Sequence, residues 1–172
     1  MTETRSEFWD FSLRFYARPG VAATCLELQD QAGADINVVL YLFFLASRCR
    51  RLDAAETARL DAAVAVWREQ VVRPLRAVRR SLKTMLTQPD DAISRLRDDI
   101  KRSELAAEKF QQHTIERLFP LDTFGYAAES PEKAIRASLN VYTAGAGALP
   151  ADAVGKLIEL FIAQDGASTQ RR

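Results

Sequence analysis

Every residue from Val38 to Ala46 is hydrophobic, so a helix through this segment would be apolar on all of its faces. Such a helix belongs at the centre of a bundle, because each face must be covered by another element. The run is far shorter than the ~20 residues that span a bilayer. A buried parallel strand is the alternative. We disfavour it because the sequence has no further strand-like segment and because no Gly or Pro directly flanks the run. We therefore predict a central apolar helix over about residues 36–50, with Asp35 as its N-cap.

The remaining segments predict further helices. Gly and Pro are scarce, and they fall between stretches in which apolar residues recur at helical spacing. A chain of 172 residues fits one domain. The expected fold is an all-α, single-domain bundle of about seven to eight helices, extending over residues 6–164. Residues 1–5 and 165–172 are expected to form a flexible N-terminus and a flexible C-terminal tail.

Two interruptions are predicted near the middle of the chain. Pro74 lies within a helical pattern, and because the residue before a proline is disfavoured in helical conformation, we expect a kink or break near Arg73. The helix that follows ends at about residue 86, and a turn is expected at residues 87–90. This fifth helix has an apolar face that could be buried, formed by Leu75, Val78 and Leu82.

The charge of the chain is nearly balanced, with 24 Lys and Arg against 23 Asp and Glu. This balance disfavours a general nucleic-acid-binding or membrane-surface protein, which would usually be basic overall. The two cysteines, Cys25 and Cys49, lie in apolar helical patterns, so we expect reduced, buried thiols, with a disulfide as the less favoured alternative. The first five residues carry no apolar segment of a signal peptide, and we expect a cytoplasmic protein without a membrane span.

The fifth predicted helix carries the most chemically specific feature, a basic stripe. Its side chains recur at spacings of three and four, which places them along one helix face, and they are Arg73, Arg76, Arg80 and Lys83, flanked by Arg79. Like charges at this spacing repel, so we expect anionic partners. These are either carboxylates of the sixth helix, through Asp98, Asp99 or Glu104, or a bound anion, since guanidinium groups match carboxylates and phosphates. In the second case, replacing Arg76 and Arg80 by glutamine should weaken binding without unfolding the protein.

A second polar group lies between the second and third predicted helices. Gln29, Asp35 and Asn37 could line a polar pocket there, although Asp35 as a helix cap and Asn37 as a paired internal amide explain the same residues. The chain has one histidine, His113, and with two dispersed cysteines it offers no zinc ligand set. We predict no catalytic residue set, no metal site and no cofactor.

The first predicted helix is crowded with aromatic residues on more than one face. It carries Phe8, Trp9, Phe11, Phe15 and Tyr16. Most of these rings should be buried, and a ring left exposed would mark a partner surface, because large apolar patches seldom stay uncovered.

Several motifs, in this order, resemble an uncharacterised proteobacterial family of small all-helical proteins, a domain of unknown function. They are Phe8–Ser12, Tyr16–Val21, Cys25–Asp30, Gly33–Leu40, Trp67–Arg68, Val72–Lys83 and Glu104–Glu108. The resemblance covers about residues 6–118. It implies a cytoplasmic, all-helical bacterial protein, and it assigns no catalytic residue.

Two functions fit these observations. The first is a non-enzymatic interaction or regulatory module that binds another protein through the basic helix face. The second is a helical enzyme or small-molecule binder that acts on an anionic ligand, a carboxylate or a phosphate. The second function requires a pocket in which the stripe arginines meet polar groups such as Asp35 or Asn37.

Overall fold

The computed structural model describes residues 6–85, 91–146 and 149–163. The predicted flexible ends, residues 1–5 and 165–172, and the predicted turn at residues 87–90 lie outside these ranges. The described residues form eight α-helices: α1 (Glu7–Tyr16), α2 (Val21–Ala32), α3 (Ile36–Ala46), α4 (Ala54–Trp67), α5 (Arg73–Met85), α6 (Asp91–Leu118), α7 (Pro131–Ala146) and α8 (Ala151–Ile162). None of the helices described here is long and apolar enough to cross a membrane.

Helix α3 lies at the centre of the bundle, as the apolar run predicts. All of its residues from Asn37 to Ala46 are buried, and α1, α6 and α7 pack around it. The ring of Phe43 lies 5.0 Å from that of Phe15 in α1 and 5.2 Å from that of Phe161 in α8. The Asp35 carboxylate accepts hydrogen bonds from the backbone N–H groups at the start of α3, so the predicted N-cap is also present. The all-α fold with a central helix is therefore confirmed.

The predicted end of the central helix near Arg50 is wrong. Helix α3 ends at Ala46, and Cys49 has a backbone φ of 53°, a left-handed conformation that a helix cannot continue through. The next residues form a two-residue strand β1 (Arg50–Arg51), which pairs antiparallel with β2 (Tyr126–Ala127). Cys49 is only half-buried, whereas Cys25 is buried as predicted, and both thiols are free.

A π-helical turn is present where a kink or break near Arg73 is predicted. Residues Arg68–Val72 form this turn, and it joins α4 to α5 without interruption. The backbone N–H of Arg73 donates to the carbonyl of Arg68, five residues earlier. A proline ring normally clashes with the carbonyl four residues before it, and the wider π turn relieves that crowding. The helix therefore tolerates Pro74.

Helix α5 and the part of α6 that faces it, residues 92–108, form a two-helix arm. Among residues 73–85 and 92–103 of this arm, none is buried. The apolar face predicted for α5 is consequently not buried: Leu75 and Leu82 are half-buried, and Val78 is exposed. The cause is that α5 has one main neighbour, α6, and the side chains that it turns towards α6 include Arg76 and Arg79.

Candidate functional site

Four arginines meet in an open cleft where the arm joins the rest of the bundle. The cleft has a volume of about 320 Å³ and lies between the end of α2, the start of α3 and the π-helical turn with α5. Its charged lining consists of Arg68, Arg73, Arg76, Arg80, Asp30 and Asp35, and Gln29 contributes an amide. Three of the predicted stripe residues therefore lie beside two of the three residues predicted to form a polar pocket.

Arg68 is the fixed cation of the cleft. Its side chain is 14% exposed, and it pairs with Asp61 at 2.6 Å, with Glu69 at 3.2 Å and with Asp35 at 3.3 Å. Burial works against the charged guanidinium, but the hydrogen bonds that Arg68 donates to Asp61 and the negative charges of Asp35 and Asp61 outweigh it and raise the pKa of Arg68. With all three carboxylates in contact, Arg68 holds the start of α3 against the end of α4.

Arg73 joins the two sides of the cleft through solvent-exposed bonds. Its Nη1 lies 2.8 Å from Glu69, and its Nη2 donates to the carbonyl of Gly33 at 3.1 Å. Gly33 ends α2 with a φ of 65°, a left-handed conformation typical of a helix C-cap. The Arg73 side chain is 46% exposed, so its ion pair with Glu69 is solvated.

Arg76 and Arg79 are bound to α6 rather than to solvent. Arg76 donates to Glu104 at 3.0 Å and to Glu108 at 2.6 Å, and Arg79 donates to both carboxylate oxygens of Glu104. Burial would raise the pKa of Glu104, but the hydrogen bonds from Arg79 and Arg76 lower it below its ordinary value. For Glu108 burial dominates, and its pKa is raised although Arg76 is bound to it.

Arg80 and Lys83 continue the stripe towards solvent. Arg80 pairs with Asp30 of α2, with both side chains about half exposed, and the hydrogen bond from Arg80 lowers the pKa of Asp30. Lys83 is exposed and does not line the cleft. Of the α6 carboxylates predicted to face the stripe, Glu104 does so, whereas Asp99 pairs with Arg102 of its own helix. The stripe residues therefore share one face of α5, but they differ in exposure and in the carboxylates that they contact.

The three residues predicted as a polar pocket do not line a single cavity. Asp35 lines the cleft, while Asn37 lines a separate cavity between α1, α3 and α6, and Gln29 lies at both. Asn37 is buried and bonded to two glutamines of α6, Gln111 and Gln112. The alternative roles considered for Asp35 and Asn37, helix cap and paired amide, are thus both realised.

Sequence reasoning missed Arg68 as a cleft residue. In an uninterrupted α-helix, residues five apart point about 140° away from each other, so Arg68 and Arg73 would not share a face. The π-helical turn changes this phase, because its hydrogen bonds join residues five apart. Pro74 is the only local signal for that turn, and it also fits a break.

The cleft has the chemistry of an anion receptor. Guanidinium groups bind carboxylates and phosphates through two parallel hydrogen bonds, and the exposed pairs of Arg73 and Arg80 place such groups at the mouth. Within the three described ranges, no group of three or more His, Cys, Asp or Glu side chains is arranged to hold a metal ion. His113, the sole histidine, is half-buried in α6 and is not among the residues of the cleft.

Comparison with known proteins places the chain in a family. No curated protein and no solved structure shows significant similarity to it. Residues 7–115 match the family model described as "Protein of unknown function (DUF2390)". This match covers α1 to nearly the end of α6, and so includes every residue of the cleft. The chain therefore belongs to the DUF2390 family, a domain of unknown function.

Proposed function

We propose that this chain is a binding module for a small anionic ligand, a carboxylate or a phosphate, which occupies the arginine-lined cleft. The observation that carries the proposal is the convergence of Arg68, Arg73, Arg76 and Arg80 on one cleft. Two of them, Arg68 and Arg76, are held by buried or half-buried carboxylates. The other two are about half exposed, and they supply the guanidinium groups that a ligand would engage.

The exposed pairs can exchange their protein carboxylate for a ligand. Exposed ion pairs contribute about 0–1 kcal/mol, since water screens the charges and the long side chains lose freedom. Arg73–Glu69 and Arg80–Asp30 are pairs of this kind, with side chains 46–50% exposed. An anion bridging Arg73 and Arg80 would replace two weak pairs by charge-assisted bonds in a more enclosed site. In the absence of a ligand, these two ion pairs therefore occupy the guanidinium groups that the anion would bind.

The size of the cleft also suits a small ligand. Small-molecule sites commonly enclose about 300–1,000 Å³, and this cleft has about 320 Å³. Asp30 and Asp35 lie on its lining and would repel a second negative charge placed near them. A compact mono- or dianion that keeps its charge on the arginine side therefore fits better than a polyanion such as nucleic acid.

A second candidate function is the docking of an acidic protein on the basic face of α5. The observation that favours it is that α5 has no buried residue and exposes Val78 and Met85 beside its cations. Against it stands the use of Arg76 and Arg79 in ion pairs to α6. Lys83 separates the two functions, because it belongs to the helix face but not to the cleft.

Calorimetric titration of the full chain with inorganic phosphate and with succinate tests the proposal. The test variant is Arg73→Gln/Arg80→Gln, which removes two charges that make only exposed pairs. We expect the wild-type protein to bind at least one probe and the variant to bind it at least tenfold more weakly, with an unchanged circular dichroism spectrum. Arg76 is left intact in this test. Replacing it would remove its bonds to Glu104 and Glu108 and so change the stability of the fold as well as ligand binding.

The matched control is Arg102→Gln/Arg136→Gln. It removes the same charge from two exposed arginines that pair with carboxylates of their own helices, away from the cleft. This control should bind the probe like the wild type, and so should Lys83→Gln. The proposal fails if the wild type binds neither phosphate nor succinate, or if the control variant loses as much affinity as the test variant. Loss of binding in Lys83→Gln would favour the helix face over the cleft.

A further inference from the structure

A second cavity, of about 160 Å³, lies between α1, α3 and α6 and has an apolar wall and a polar lining, to which Gln29 and the half-buried Glu108 carboxylate contribute. The wall includes Trp9, Leu13 and Leu105, and the two leucines are about half exposed at its rim. The polar lining includes Ser12, Asn37 and Gln112, which are all buried. The basic stripe and the cleft function do not account for this arrangement, and nothing in the family match assigns it a role.

A chain of hydrogen bonds determines which polar atom of Gln112 is left without a partner. The chain begins at Asp35, whose carboxylate only accepts hydrogen bonds when it is ionised. Gln111 must therefore turn its Nε2 towards Asp35, at 2.7 Å, and its Oε1 accepts from Asn37 Nδ2 at 3.3 Å. Asn37 Oδ1 in turn accepts from Gln112 Nε2 at 2.8 Å. The orientation of all three amides is thus fixed from one end, and Gln112 is left with its Oε1 as an acceptor.

Two polar atoms that belong to residues of this cavity lack a partner. Gln112 Oε1 and Ser12 Oγ are both buried, and neither makes a hydrogen bond within the described residues. Both residues are 3% exposed. Buried polar atoms are normally paired, because an unmade hydrogen bond leaves their desolvation uncompensated. Such a pair, an acceptor and a hydroxyl beside an apolar wall, is the usual composition of a small-molecule site.

We propose that this cavity binds a small, ring-sized apolar molecule that carries one O–H or N–H donor, such as a phenol. A cavity of about 150 Å³ accommodates a benzene ring, so the available volume matches one ring. The donor of the ligand bonds to Gln112 Oε1, the Ser12 hydroxyl bonds to the heteroatom, and the ring packs against Trp9 and Leu13. The site shares Gln29 with the anion cleft, but none of the side chains that bind the ring or its donor lines that cleft, so the proposal does not depend on ligand binding there.

Nuclear magnetic resonance titration of the full chain with phenol tests this proposal. Trp9 lines the cavity, whereas Trp67 packs against Phe110 with tilted rings and donates to the Ala107 carbonyl. We expect saturable shifts of the Trp9 indole signal and none of the Trp67 signal. The donor is tested with two isomers, o-cresol and anisole, of which only the cresol has an O–H group. Anisole should bind about tenfold more weakly, because it leaves the buried acceptor unpaired.

Two variants locate the site. Ser12→Ala removes a hydroxyl that has no partner, so the fold should keep its stability while phenol binding weakens a few-fold. Leu105→Trp places a large ring at the exposed rim and should abolish phenol binding, whereas Leu26→Trp, at an equally exposed leucine that is not part of the cavity, should leave it unchanged. The proposal is overturned if phenol does not shift Trp9, if anisole binds as tightly as o-cresol, or if Leu105→Trp binds phenol like Leu26→Trp.

Discussion

The body of the bundle and the arm are stabilised in different ways. The body surrounds α3, whose residues from Asn37 to Ala46 are buried, and it is stabilised by apolar packing. The arm buries no residue between positions 73–85 or 92–103, and ion pairs between α5 and α6 connect its two helices. Apolar packing is not weakened by charge screening and responds to a change of even one methylene, whereas exposed ion pairs are screened by salt and can exchange partners. A cleft at the border of the two regions can therefore combine a rigid side with an adaptable one.

The largest expected effect is on the body. Phe43→Ala should lower the free energy of unfolding by about 3–5 kcal/mol, because it removes a fully buried ring that packs against Phe15 and Phe161. Val78→Ala, on the exposed side of the arm, should change it by less than about 0.5 kcal/mol. Urea unfolding followed by circular dichroism measures both. Similar losses from the two variants would remove the distinction between body and arm.

The next largest effect is at the base of the arm, where Glu104 accepts from Arg76 and Arg79. Glu104→Gln should lower the free energy of unfolding by about 3 kcal/mol at pH 7. This is the lower end of the range for a broken buried ion pair, because both arginines keep some contact with water. The folded-state pKa of Glu104 lies below its ordinary value of 4.5. The stability that ionised Glu104 contributes is therefore complete above pH 4.5 and is lost as the pH falls through the folded-state pKa. Wild-type and variant stabilities measured from pH 7 to pH 3 should therefore converge; parallel curves would contradict the pairing.

Glu108, one turn further along α6, should behave in the opposite way. Its folded-state pKa is raised by burial, so the stability it contributes is present below 4.5 and is lost as the pH rises through the folded-state pKa. Glu108→Gln keeps an oxygen that accepts from Arg76, and we expect it to leave the unfolding free energy at pH 7 unchanged or raised by up to about 1 kcal/mol. Chemical denaturation between pH 4 and pH 8 tests the sign. A loss as large as that of Glu104→Gln would show that the two carboxylates are equivalent.

The smallest expected effect is at the mouth of the cleft. A double-mutant cycle with Arg80→Gln and Asp30→Asn should give a coupling energy of about 0.2–1 kcal/mol, because both side chains are about half exposed. The coupling should fall further in 0.5 M salt, where the charges are screened. A coupling above about 2 kcal/mol would mean that this pair is too stable to be exchanged for a ligand.

The sequence predicts the body better than the arm, because the residues that indicate the central helix of the body lie in one continuous segment. A run that is hydrophobic at every position must be buried, and the preceding aspartate together with the lack of further strand-like segments favours a capped helix over a buried strand. The pairing of Arg50–Arg51 with Tyr126–Ala127 depends on two loops that meet only in the folded chain, and no pattern within either segment indicates it. The same holds for the left-handed Cys49 that ends the helix earlier than predicted.

The candidate site is predicted in part, for related reasons. The spacing of Arg73, Arg76 and Arg80 places them on one face, and that face does contact carboxylates. Spacing does not distinguish Arg76, which is bound to one buried and one half-buried carboxylate, from Arg80, which is solvated. The difference comes from Glu104 and Glu108, which lie 28 and 32 residues after Arg76 in the chain. The apolar residues of α5 also indicate a face that could be buried, because their spacing does not show that α6 is the one main neighbour of this helix.

Hydrogen–deuterium exchange of the full chain, with and without the anionic probe that binds in calorimetry, tests the central claim most directly. We expect the amides of α3 to exchange only through global unfolding, and those of α5 to exchange faster through local opening of the arm. The probe should slow exchange at the start of α5 and around Gly33, and it should leave α8 unchanged. The account is contradicted if α5 is protected as strongly as α3, or if the probe slows exchange at α8 as much as at the cleft.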